Sequence, residues 1–496
     1  MSATFAEEPS SRSTLSGAIR VFLAESLLVP TGLLIAAYLA RRLGPEGYGL
    51  FVVLAALVAW VEWSLTAMLA RASVKFVSDA QDWRPIGSTV LSVHLLVSAG
   101  AALLLCLAAT PVAVLLGAPG LAKYLQVFAL DIPLFCLAQA HRNILVGLGR
   151  FTQRSLTAAA RWISRLVLVI VLVELGLSIY GAILGSIGAS LIELIVARSF
   201  VRPAFSVRSA FRVRNLWPYA GPLILSALAL RLYDKLDLVA LMALGGTAEE
   251  AGLYGAAQNL ALLPSLFAMS ISPLLLSGVS RALRDGNGLL AGRLAQHATR
   301  GVFLLLPLAA AVTGSADEIV ALVFGQEFRE SGTLLSLLIF GAVGLVVVSV
   351  TTAILTAGGR LDLTLALTGP LPLIALGGYL VSIPRAGPVG AALVTCLVAT
   401  ASAIAGIIAV RRVYPAITWA ATAVRSALVC VLAYALAASW PTPGWLLLVK
   451  LLLISLALPA ALVLLREFSA LELAGLHAFL RRELKRPVPD QGGAGR

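Results

Sequence analysis

The chain carries one long apolar stretch after another. Of its 496 residues, 59% are hydrophobic and 12% are charged. A soluble domain carries about 25% charge, so too few polar side chains are present to face water. The bilayer must be the solvent. A helix needs about 20 apolar residues to cross a ~30 Å hydrocarbon core. Such runs fall near 20–41, 48–70, 87–110, 124–147, 160–179, 181–200, 218–243, 253–279, 301–323, 333–357, 363–383, 388–410, 422–440 and 444–465. That gives about fourteen crossings. The alternating apolar and polar segments of a transmembrane barrel are absent. The expected fold is an all-α polytopic membrane protein.

The formal net charge is +13. With the basic residues lying between spans, this excess sets orientation and gives no reason to expect a nucleic-acid partner. One set of connections holds Arg71, Lys75 and Arg84; Arg150 and Arg154; Arg202, Arg208, Arg212 and Arg214; Arg281, Arg284 and Arg293; Arg360; and Arg411 and Arg412. The other set holds little beyond Arg41, Arg42, Lys123, Arg329 and Arg385. The positive-inside rule therefore puts both termini in the cytoplasm. The polar first residues read as a retained N-terminal segment, with no cleavable signal peptide. The tail from Phe468 to Lys485 reads either as a basic amphipathic helix or as a solvated extension.

The chain also reads as a duplication. Arg41 to Phe51 is RRLGPEGYGLF and Leu244 to Gly255 is LGGTAEEAGLYG; both carry Gly-Leu-aromatic entering a span. VGLGRF (Val146 to Phe151) matches TAGGRL (Thr356 to Leu361), and YGAILG (Tyr180 to Gly185) matches VGAALV (Val389 to Val394). The offsets are roughly constant, as in a repeat. Six spans separate each pair, so the halves are parallel repeats. Transporters built this way bind substrate near mid-membrane between the halves. The resulting organisation is a cytoplasmic N-terminal segment (1–19), an N-lobe (20–200), a basic cytoplasmic linker (201–216), a C-lobe (217–410), two further helices (411–465) and a basic cytoplasmic tail (466–496).

RRLGPEGYGLF, the later YDKLDLVALMALGG with AGLYGAA (Tyr233 to Ala257), and the span plan resemble the Wzx-type O-antigen and exopolysaccharide flippases. These belong to the multidrug/oligosaccharidyl-lipid/polysaccharide exporter superfamily. The resemblance covers nearly the whole chain by architecture, through short motifs. It implies two pseudo-symmetric six-helix lobes around a central cavity, with two extra C-terminal helices. It implies a bacterial inner-membrane protein in cell-surface polysaccharide or lipopolysaccharide synthesis. Its cargo would be an undecaprenyl-pyrophosphate-linked oligosaccharide, moved from the cytoplasmic to the periplasmic leaflet. A polysaccharide polymerase and the chain-length machinery would be its partners. A multidrug exporter driven by cations and a lipid II flippase are the alternatives within the superfamily.

The charged stretch LRLYDKLDLVAL, Leu230 to Leu241, bears on that choice. Arg231, Asp234, Lys235 and Asp237 sit inside an apolar span, where each charge costs about 2.5–3.5 kcal/mol on insertion scales. On a continuous helix Arg231 and Lys235 share a face. Asp234 is placed to neutralise Arg231, and Asp237 faces away from Lys235. One reading is a cationic cavity wall that grips a pyrophosphate through charge-assisted hydrogen bonds; the other is a self-paired cluster that packs the lobes. Arg142 and Arg165 are further candidates for the head group, with surface snorkelling as Arg142's bland alternative. Arg161 is expected to snorkel. Glu25, Asp131 and Asp237 are candidates for charge pairing or ion coupling, and Glu62, Glu174 and Glu193 are further acidic groups in spans. Pro133, Pro222, Pro264, Pro273, Pro307, Pro370 and Pro372 can bend their helices.

No nucleotide-binding GxxxxGK[ST] and no HExxH occurs, and no connection is long enough to house a catalytic domain. Cys106, Cys136, Cys396 and Cys430 lack CxxC spacing, and the four histidines are scattered. No cofactor or metal is expected, and the chain reads as a transporter and not an enzyme.

Overall fold

In a computed structural model the described residues are 27–204, 233–414, 420–442 and 444–467. Every regular element among them is helical. The N-lobe holds α1 (Leu28–Asp79), α2 (Arg84–Leu115), α3 (Leu121–Phe128), α4 (Asp131–Gly147), α5 (Phe151–Leu172) and α6 (Ser178–Phe200). The C-lobe holds α7 (Leu236–Ala243), α8 (Ala248–Ala261), α9 (Ser265–Arg284), α10 (Gly288–Phe303), α11 (Leu305–Gly314), α12 (Ala316–Phe324), α13 (Ser331–Ala357), α14 (Leu361–Thr368) and α15 (Leu371–Val413). A hairpin of α16 (Ala420–Ser439) and α17 (Leu446–Leu464) follows.

Ten helical stretches are long and apolar enough to cross a membrane. Three of them, of 40, 50 and 53 residues, are long enough to cross twice, and α7 is a shorter helix of 8 residues. The double crossings turn at glycines. In α1 the bend is at Gly44 (φ 68°), followed by Pro45; in α15 it is at Gly387 (φ 51°), followed by Pro388. Glycine tolerates positive φ, and proline suits the first position of the helix that follows. Between α5 and α6 a π-turn, Val173–Leu177, contains Gly176 at φ 87°. Pro133 does not bend a helix: the break lies at Ala129–Leu130, and the proline sits in the first turn of α4. Pro264 lies at the α8–α9 break, and Pro273 is inside α9. Pro222 lies outside the described residues.

Large apolar side chains cover the outside: Leu96 is 76% exposed and Leu464 82%. That surface belongs in lipid, so the chain is a multi-pass membrane protein. The α16–α17 hairpin is fastened to the C-lobe at both ends. Gly314 of α11 lets α16 approach closely, since a Cβ there would stand 2.7 Å from Ala437 Cβ. At one end Glu318 takes Lys450 Nζ at 2.7 Å and the Thr442 N–H at 2.9 Å. At the other, Glu467 takes Arg300 at 2.6 Å, Arg425 at 2.8 Å and Thr422 at 2.7 Å.

Candidate functional site

A cavity of about 230 Å³ lies between the lobes. Small and apolar residues of both arms of α1 form most of its wall, including Gly32, Ala36, Ala55 and Ala59. Three polar side chains interrupt them: Arg165 from α5, and Lys235 and Asn259 from the C-lobe. Each lobe thus contributes one cation. Arg165 Nε is buried and has no hydrogen-bond partner among the described residues, so it has bonding capacity to offer a ligand.

The stretch around Lys235 is not a continuous helix. Lys235 has φ −133°, ψ 9°, and α7 starts only at Leu236. Arg231, expected to share a face with Lys235, lies outside the described residues. The break lets Gln258 of α8 bridge two charges. Lys235 Nζ donates to Gln258 Oε1 at 2.5 Å, and Gln258 Nε2 donates to both oxygens of Asp237 at 3.2 and 3.0 Å. Asp237 and Lys235 share this partner instead of facing apart. Asp237 is buried and also accepts from the Tyr254 hydroxyl at 2.7 Å and the Leu238 N–H at 2.8 Å. From Tyr254 the network passes to Thr395, 3.4 Å away, and on to Tyr379 at 2.8 Å. Asp234 is exposed and does not line this cavity. Glu25 lies outside the described residues.

The N-lobe interior is ionic. Arg161 does not snorkel. It is 5% exposed, donates to Ser190 at 2.8 Å and Glu193 at 3.1 Å, and lies 4.4 Å over the Phe135 ring. Arg142 is also buried, away from the cavity lining. It donates to Gln139 at 2.5 Å, and its Nε stands 3.1 Å from Glu193 Oε1, close enough for an ion pair without hydrogen-bond alignment. Its expected contact with a head group gives way to this pairing. Asp131 faces Glu62 beside Arg161 and Arg165. Glu62 Oε1, Asp131 Oδ1 and Arg161 Nε have no hydrogen-bond partner among the described residues. Arg165 thus joins the ionic interior to the cavity. Glu174 is at the far end of the lobe, where Arg42 Nε donates to it at 3.0 Å and Tyr38 at 2.8 Å.

The cavity is sealed at the end that carries Gly44. Gly49 and Gly252, equivalent positions of the two repeated motifs, cross in contact. A Cβ on Gly49 would overlap the Ala248 carbonyl oxygen, and one on Gly252 would overlap that of Pro45. Thr247 and Glu250 form a reciprocal cap that fixes the start of α8. Tyr48 packs against Phe328 at 5.8 Å and Phe324 at 6.3 Å, and its hydroxyl accepts from Asn259 at 2.9 Å. Arg41 crosses to the carbonyls of Leu322 and Val323 at the end of α12. Lobe contacts among the described residues run mainly through α1 against α7, α8, α12 and the turn after α12.

Two helical lobes with a cavity between them and a seal at one end make the architecture of a membrane transporter. Residues 15–275 match the profile of the polysaccharide biosynthesis protein family. The chain belongs to that family. Among solved structures, the lipid II flippase MurJ in an inward closed conformation is similar at 15% identity. The match covers 91% of this chain and 99% of MurJ, with a TM-score of 0.72. An inward-facing multidrug resistance MATE transporter is similar at 16% identity over 81% of this chain and 98% of its own, TM-score 0.70. An outward-facing MATE transporter gives 17% identity over 83% and 97%, TM-score 0.58. No curated protein sequence matches the chain.

Sequence reasoning missed Gln258, Asn259, Tyr254, Thr395 and Tyr379. The adjacent amides in AAQNLALLP, inside an apolar run, were the available signal for the first two.

Proposed function

We propose that the protein carries an undecaprenyl-pyrophosphate-linked oligosaccharide from the cytoplasmic to the periplasmic leaflet of a bacterial inner membrane. The observation that carries this reading is the cavity with one cation from each lobe, Arg165 and Lys235, closed at the Gly44 end. A pyrophosphate between them draws the lobes together and favours the step that reverses access. The basic connections cluster at the opposite end, which the positive-inside rule makes cytoplasmic together with both termini. The cargo therefore enters from the cytoplasm, with its lipid chain left in the bilayer. No bond is made or broken. A polymerase and the chain-length machinery would take the product at the periplasmic face. A cavity with two cationic side chains disfavours the cationic substrates expected of a multidrug exporter. A lipid II cargo has the same pyrophosphate chemistry, so the cargo must be identified by assay.

The test is deletion of the gene in its host, followed by quantification of undecaprenyl-linked saccharides and surface polymer. Accumulated lipid-linked repeat units with loss of polymer are expected; accumulated lipid II would shift the assignment to that cargo. An unchanged lipid pool with intact polymer overturns the reading. Arg165→Ala and Lys235→Ala should each reduce restored export by about 10- to 100-fold, the loss of one charge-assisted phosphate contact.

A further inference from the structure

A second, larger cavity of about 390 Å³ opens at the sealed end, outside the central cavity. Its walls come from three parts of the fold: Arg41 of α1; Asp317 and Glu318 of α12 with Gln326 and Arg329 of the following turn; and Thr442 of the α16–α17 connection. Its volume lies within the range of small-ligand sites, about 300–1,000 Å³.

The site is built. Glu318 is held by Lys450, whose side chain is fully buried, and by the Thr442 N–H. Arg41 is held by the carbonyls that end α12. Thr442 is 7% exposed, yet its hydroxyl has no hydrogen-bond partner among the described residues. A buried hydroxyl without a partner is costly to desolvate, so this wall has bonding capacity to offer a ligand. Asp317, Gln326 and Arg329 are exposed at the rim. Their carboxylate, amide and guanidinium groups supply donors and acceptors in the mixture that sugar hydroxyls need. Lys450 neutralises Glu318, which leaves Arg41 and Arg329 against Asp317 among the lining residues, so an anionic group on the ligand is favoured. No group of three metal-ligating side chains occurs among the described residues.

We propose that this pocket is a saccharide site at the periplasmic exit, selective for an acidic sugar unit of the cargo. The proposal rests on the flippase reading above. Because Arg41 belongs to the N-lobe and the other walls to the C-lobe and its hairpin, the pocket is complete only while the outer end is closed. A sugar unit seated there ties the lobes together and slows reopening, so glycan that has not been removed from the exit restrains the next cycle.

Isothermal titration of the purified full chain in detergent micelles tests this, with trigalacturonate as the acidic probe and maltotriose as the neutral one. Saturable binding of trigalacturonate and none of maltotriose is expected. Arg329→Ala and Thr442→Val should each weaken binding, about tenfold for the arginine, without changing the melting temperature. Hydrogen exchange in 248–255 should slow when trigalacturonate is added. Absence of saturable heat, equal binding of both probes, or binding unchanged in both variants overturns the proposal. Soluble trisaccharides carry neither lipid nor pyrophosphate, so this result is independent of the lipid-accumulation assay. A null titration beside accumulated lipid-linked sugar removes the exit site and leaves the flippase.

Discussion

The two lobes handle buried polarity in opposite ways. In the C-lobe one buried carboxylate, Asp237, has both oxygens used, by Tyr254, Gln258 and the Leu238 N–H. In the N-lobe Glu62, Asp131, Arg142, Arg161, Arg165 and Glu193 lie in one interior cluster, and several of their atoms stay unpartnered among the described residues. A fully bonded network holds one geometry, because any rearrangement breaks bonds that low dielectric makes strong. A cluster with open valences has alternative pairings near in energy. On the cargo reading proposed above, the N-lobe is the side with freedom to reorganise around Arg165, and the C-lobe is the rigid jaw that presents Lys235.

The largest effect that sharpens this contrast is at Glu193. Arg142 and Arg161 both lie 3.1 Å from its carboxylate oxygens, at 5% exposure each. Glu193→Ala leaves two buried guanidiniums facing each other, with an expected loss of about 3–5 kcal/mol. Thermal unfolding of the purified protein in micelles measures it. The triple replacement of Arg142, Arg161 and Glu193 by Met should recover most of that loss, because the charge burial goes with the pair. If the triple variant is as unstable as Glu193→Ala, the cluster is a rigid structural network and the contrast between the lobes fails.

What the sequence shows of this architecture follows from what can be read locally. The span plan, the all-helical class and the motif pairs are one-dimensional patterns, and the fold carries them. The contact of Gly49 with Gly252 adds a consequence: the axis relating the halves brings equivalent motifs face to face, and glycine is needed there because no Cβ fits. Charge partners were not legible. Arg161 reaches Glu193 across 32 residues of chain. Nothing in the spacing distinguishes that geometry from a snorkelling arginine. Lys235 and Asp237 were misread for another reason. Helical spacing presumes a helix, and the backbone breaks at Lys235, so the neighbour that matters is Gln258 on another element.

On the C-lobe side, Asp237→Asn keeps the shape and replaces an acceptor with a donor. One oxygen of the carboxylate takes Tyr254 at 2.7 Å, and Gln258 donates to both. The new amide N–H₂ must therefore oppose a donor. An unfolding penalty of about 1–3 kcal/mol is expected, smaller than for Glu193→Ala because no bare charge is left behind. Export should fall as well, since Gln258 also orients Lys235. Full export with reduced stability would show that Lys235 is positioned by the cavity wall alone, which removes the rigid-jaw role from this network.

The smallest effect is at the far end of the same network. Among the described residues the Tyr379 hydroxyl meets only Thr395 Oγ1, at 2.8 Å, and the ring is fully buried. Thr395 also donates to Ala391 O at 3.0 Å and keeps the Tyr254 hydroxyl at 3.4 Å, so it has other partners when Tyr379 is cut back. Tyr379→Phe preserves the ring and removes one neutral hydrogen bond, a loss of about 0.5–1.5 kcal/mol. Export by Tyr379→Phe should stay near wild type, because the bond lies four links from Lys235. If this substitution reduces export as much as Asp237→Asn does, the C-lobe chain from Tyr379 to Lys235 moves as one unit during the cycle, and the adaptable lobe is the C-lobe as well.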